Sequence, residues 1–99
     1  MNSNELPWPP TYRWALGQAR AYLAGTTDVQ TLHSMTSDLF DHYKKEREGQ
    51  PADELEDSLA YIWIRSQRVL RGVDAEEELG SLIRELLPIF ERGAATEVD

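Results

Sequence analysis

Cysteine is absent from this 99-residue chain, so disulfides and thiolate metal sites are excluded and no covalent staple contributes to stability. A reducing cytoplasm is the natural setting for such a composition, although a cysteine-free chain is also compatible with export. Long apolar runs are absent too. Leu59-Ala60-Tyr61-Ile62-Trp63-Ile64 is apolar throughout but falls far short of the roughly 20 residues of a membrane span. The first ten residues lack the basic opening and apolar stretch of a secretory signal. No strand-like alternation, internal repeat or low-complexity tract occurs. Nor is there a Gly-rich phosphate loop, a nucleophile elbow or a zinc-ligand spacing. Basic residues are the scarce charge: 10 Lys and Arg stand against 18 Asp and Glu, for a net charge of −8. That balance repels nucleic acid and anionic membrane and favours a basic protein surface as partner, while also serving solubility.

What the chain does have is helical periodicity. An apolar fraction of 40% suffices for one core in one domain of this size. The stretch from Pro51 to Arg71 organises the rest. Leu55, Leu59, Ile62, Trp63, Ser66, Val69 and Leu70 share one broad helical face, with Tyr61 and Ile64 outside it. Either another helix or a partner is expected to cover that second side.

Before this stretch, Tyr12, Ala15, Leu16, Ala19, Tyr22 and Leu23 recur at three and four, and Gly25 ends the pattern. Thr27-Asp28-Val29-Gln30 reads as a capping box, with Thr27 accepting and Gln30 reaching back. Val29, Leu32, Thr36, Leu39, Phe40 and Tyr43 form the inward stripe of a second helix, stopped by Gly49. Pro51 suits the first turn of the third. A fourth helix runs from Asp74 through Leu79, Leu82, Ile83, Leu86 and Phe90 to Gly93, with a kink or early end expected at Pro88. Gly17 and Gly80, inside helices, imply close helix–helix approach.

The expected fold is all-α, a small antiparallel four-helix bundle, since short connections make neighbouring helices run in opposite directions. The bundle spans residues 11–93. A Pro-rich lead-in covers 1–10, and 94–99 form a flexible tail. Three prolines around Trp8 keep the lead-in from being helical. It is either a polyproline ligand or, the preferred reading, a segment that lays Trp8 back on the core.

Catalytic chemistry finds little footing. Asp38, His42 and Glu46 fall at i, i+4 and i+8, but three residues along one helix spread over about 12 Å and do not converge on an ion. His33 stands alone, without a nucleophile–base arrangement. A non-enzymatic protein with no cofactor and no metal is expected.

Acids near helix starts and bases near helix ends complement the backbone dipole, which accounts for much of the charge layout. The two junctions flanking the third helix nevertheless differ. Around 46–57, Glu46, Glu48, Asp53, Glu54, Glu56 and Asp57 exceed Lys44, Lys45 and Arg47 by three charges. At the other junction Asp74, Glu76, Glu77 and Glu78 exceed Arg65, Arg68 and Arg71 by one. A basic partner is therefore expected on those six carboxylates, with Tyr43 or Tyr61 as aromatic anchors.

Three places carry a resemblance. Ala21-Tyr22-Leu23-Ala24-Gly25 leads into a capped helix, the third helix is rich in aromatics, and Glu76-Glu77-Glu78-Leu79 is followed by Leu82-Ile83 and Leu86-Leu87. Over residues 12–91 the chain resembles the colicin D immunity protein family, small acidic all-helical proteins that block a toxic nuclease made by the same cell. The Pro7-Trp8-Pro9-Pro10 lead-in departs from the family pattern. The resemblance implies binding to a basic tRNase toxin domain, with carboxylates taking the place of RNA phosphates. The contrasting expectation is a helical adaptor, a self-association module or a phage-type inhibitor of a host complex, suggested by Tyr61 and Ile64. Monomer and homodimer both remain open.

Overall fold

Glycines and aspartates at the helix ends set the architecture. In a computed structural model, which describes residues 12–96, the chain forms α1 (Tyr12–Leu23), α2 (Val29–Glu46), α3 (Glu54–Leu70) and α4 (Glu76–Thr96). The expected packing of Trp8 lies outside the described residues. Gly25 and Gly72 adopt φ of 81° and 77°. Each closes its helix with a paired motif: Gly25 N–H donates to Tyr22 O and Thr26 N–H to Ala21 O, and Gly72 and Val73 do the same to Val69 and Arg68. These bonds satisfy carbonyls that a helix end otherwise leaves open. Gly49, at φ 86°, turns the chain between α2 and α3.

The four helices make a small antiparallel bundle without strands among the described residues. Helix α3 lies between α2 and α4, and α1 packs chiefly on α4. One core joins all four, with Leu32, Leu39, Leu55, Leu59, Leu79, Ile83 and Phe90 almost wholly enclosed. Burying each such side chain is worth about 1.5–3 kcal/mol, which is what holds helices of only 12 to 21 residues in place.

Several local expectations are corrected. The α2 cap is Asp28, whose carboxylate accepts Thr31 N–H at 2.8 Å, rather than Thr27. Helix α3 begins at Glu54 behind an Asp53 cap, rather than at Pro51. The Pro51 carbonyl instead accepts from Arg47 Nη2 at 2.9 Å, outside the helix. Helix α4 passes through Pro88, which is exposed, and continues beyond Gly93 to Thr96. Residues 94–96, assigned to a flexible tail from sequence, are therefore helical, with Ala94 against the core.

Gly93 is where close approach occurs: a Cβ there would overlap the Tyr12 ring. Gly17 and Gly80 do not have that role. A Cβ on Gly17 would meet nothing within 4 Å, and one on Gly80 would touch Arg84 Nη1 at an ordinary 3.6 Å. On α3, Leu70 is exposed rather than in the core, and Ser58 takes an inward place, its hydroxyl donating to Glu54 O at 2.8 Å.

Candidate functional site

The α2–α3 connection is built around Asp53. One carboxylate oxygen accepts Glu56 N–H at 2.9 Å as the α3 cap, and the other accepts the Tyr43 hydroxyl at 2.5 Å. Arg47 Nη1 stands 3.6 Å from that second oxygen, Nη2 holds Pro51 O, and the guanidinium lies 5.4 Å over the Tyr43 ring. Arg47 Nε is buried without a hydrogen-bond acceptor. Burial pushes the Asp53 carboxyl up, but the Tyr43 hydroxyl, the Glu56 amide and Arg47 outweigh it and hold the group below the usual carboxylate range. Tyr43 is driven well above the ordinary phenol range, by burial first and then by donating to Asp53.

Two of the eight expected binding residues, Tyr43 and Asp53, are thus turned onto each other and hold the connection in shape. The other six face outward. Glu46, Glu48, Glu54 and Asp57 are exposed, Glu56 is half-buried, and Tyr61 is 57% exposed one helical turn beyond Asp57. Glu54 comes within 3.9 Å of Arg92, with both side chains more than half exposed, a pairing that solvent screens strongly. Among the described residues, Glu46, Glu48, Glu56 and Asp57 make no ion pair. Lys44 of the same end lies over the Phe40 ring at 5.4 Å. The result is a carboxylate-rich edge on a braced connection.

At the opposite end of α3, the acids are largely matched. Asp74 accepts Arg65 Nη1 at 2.8 Å and Arg68 Nε at 2.7 Å, and Arg65 also reaches Glu78 at 3.3 Å. Arg68, and then Arg65, hold the Asp74 carboxyl below its usual range against the cost of burial. Nearby, the Tyr22 hydroxyl donates to Glu76 at 2.8 Å, and burial together with that bond raises the phenol well above its ordinary range. An open groove of about 670 Å³ lies beside this contact, between the α1–α2 turn and the start of α4, with Asp28 and Arg84 on its rim.

One constellation was missed from sequence. His33 does not stand alone: its Nδ1 lies 2.7 Å from Ser66 Oγ, and its ring stacks on Trp63 at 5.4 Å. Ser66 Oγ also lies 3.0 Å from Trp63 O, so the hydroxyl has two polar partners. The available signal was Ser66 itself, a hydroxyl on an otherwise apolar face that needs a partner when buried. Ser66 is fully enclosed, so the pair offers no reachable nucleophile; it stitches α2 to α3. Asp38 and His42 line a shallow depression with Asp41 and Lys45. No group of three metal-binding side chains converges among the described residues, and no helix there is long and apolar enough to cross a membrane.

Comparison with protein-family models, with curated proteins and with solved structures gave no match.

Proposed function

We propose that this protein is a non-catalytic inhibitor of the immunity type, whose acidic α2–α3 edge covers the basic active site of a nuclease toxin domain. The observation that carries the reading is the set Glu46, Glu48, Glu56 and Asp57, left without ion pairs among the described residues beside a connection locked by Asp53, Tyr43 and Arg47. A nuclease that holds phosphates offers Lys and Arg at a concave site. Carboxylates presented on a fixed frame meet that charge with little ordering cost. Tyr61 supplies an adjacent aromatic contact of the kind that anchors interfaces.

The test is titration against a nuclease domain encoded by an adjacent reading frame. One-to-one binding that blocks RNA cleavage is expected, with association slowing about 10- to 1,000-fold as salt rises. Replacing Glu46, Glu48, Glu56 and Asp57 together by lysine should abolish protection while the helical signal persists. Failure to bind such a domain, or binding indifferent to salt, overturns the reading. A second reading, a self-association module, is favoured by the exposure of Tyr61 and Ile64 at 57% and 49%.

A further inference from the structure

Helix α3 and its capping residue Arg71 present to solvent a stripe whose order is self-complementary. Glu54, Asp57, Tyr61, Ile64, Arg68 and Arg71 are all exposed and follow one another at steps of three and four. Read in order they are acid, acid, apolar, apolar, base, base. A two-fold axis between Tyr61 and Ile64 sets each residue against its complement in a second copy: Glu54 on Arg71, Asp57 on Arg68, Tyr61 on Ile64.

We propose that α3 packs antiparallel against α3 of a second copy of this chain, through this stripe. The three-and-four spacing is that of a two-helix seam, in which side chains of one helix fill gaps on the other. The opposite side of α3 is already taken by the core, where Leu55, Leu59, Ile62 and Ser66 are buried between α2 and α4. A parallel pairing would oppose Asp57 to Asp57 and Arg68 to Arg68, which like charge disfavours. A wholly basic partner would meet Arg68 and Arg71 over half the stripe. A second copy answers both halves.

The cross-pairs are available. Asp57 and Arg71 make no ion pair among the described residues, and Glu54 has only the 3.9 Å approach of Arg92. Arg68 is held toward Asp74, yet half of its side chain stays in solvent. The seam is a single helix about 25 Å long. A contact confined to one stripe of such a helix falls short of the roughly 1,200 Å² of a stable specific interface, so the dimer dissociates in the micromolar range or above. Its formation does not depend on the inhibitor reading. If that reading also holds, Asp57 and Tyr61 serve both contacts, and a toxin must displace the second copy.

Sedimentation velocity on the full chain, from about 5 to 500 μM at low salt, should show a monomer passing to a dimer, and added salt should weaken it. Ile64→Asp should leave a monomer. Glu54→Lys or Arg71→Glu alone should weaken the dimer about 3- to 10-fold, since two-fold symmetry repeats each broken pair. The two changes together should restore it, which keeps the test decisive if the Ile64 variant misfolds. Orientation is read by cysteine, because the chain has none of its own. Oxidising a mixture of Glu54→Cys and Arg71→Cys chains should give the mixed cross-linked species. A wild-type chain that stays monomeric throughout, leaving the stripe to a different protein, overturns the proposal. So does efficient Glu54→Cys self-cross-linking, which requires a parallel seam.

Discussion

The two connections flanking α3 draw on the same residue types and spend them differently. After α3, Arg65 and Arg68 close on Asp74, and Arg65 extends to Glu78, so bases and acids consume one another at the surface. Before α3, Arg47 turns inward onto Asp53, Tyr43 and the Pro51 carbonyl. Its charge is used to brace the chain, and the outer carboxylates Glu46, Glu48, Glu56 and Asp57 are left unmatched among the described residues. The acid counts differ as well, six around 46–57 against four beyond α3 with three bases at each, so one end stays nearly neutral and the other keeps a negative field. What the packing adds is where each arginine points: onto surface acids after α3, and inward onto the connection before it.

The largest stability effect of breaking this contrast is expected at Asp53. Asp53→Ala removes the α3 cap and strands the Tyr43 hydroxyl and Arg47, and should cost about 1–3 kcal/mol in urea unfolding. Tyr43→Phe tests the same assembly more gently. It deletes one hydrogen bond and should cost about 1 kcal/mol, with helical content unchanged by circular dichroism.

The pH dependence sharpens the picture without mutation. Asp53 has a folded-state pKa below its ordinary 3.8, so the stability it supplies is complete above that pH and is lost as pH falls through the lower folded value. Tyr43 and Tyr22 are raised above 10.0, so their contribution is complete below pH 10 and is lost as pH climbs beyond it. Urea midpoints should therefore be level between about pH 5 and 9 and fall on both sides. Tyr43→Phe should reduce the alkaline fall, with the Tyr22 part remaining. The smallest stability effect is expected from Glu46→Lys with Glu48→Lys. That pair should change unfolding free energy by less than about 0.5 kcal/mol, while removing much of the salt-sensitive attraction to a basic partner.

Two glycines show how much local inference from the chain alone can carry. From the sequence Gly17 falls inside a helix, where close approach is expected, and Gly93 at a helix end; the structure puts the close approach at Gly93 instead, inside α4. Only the packing of α1 on α4 sets the Tyr12 ring over Gly93 and open space beside Gly17. Gly93→Ala should therefore destabilise by about 1–3 kcal/mol through overlap with Tyr12. Gly17→Ala should stabilise by about 0.5–1 kcal/mol, because alanine loses less freedom on entering a helix. Thermal unfolding of the two variants, run side by side, checks the opposite signs.

The helices, their order and their apolar faces were legible in the residues because each rests on local spacing: three-and-four periodicity, left-handed glycines at Gly25 and Gly72, and acids at helix starts. The acidic excess near 46–57 was legible for the same reason, as a count along the chain. Which of those acids remain at the surface was a tertiary matter, since Asp53 is satisfied by Tyr43 ten residues away and Glu54 approaches Arg92 on another helix. The His33–Ser66 bond, bridging 33 residues, was likewise decided only when α2 met α3. Periodicity is a property of one helix and can be read from it; the partner of a side chain belongs to the packing of two.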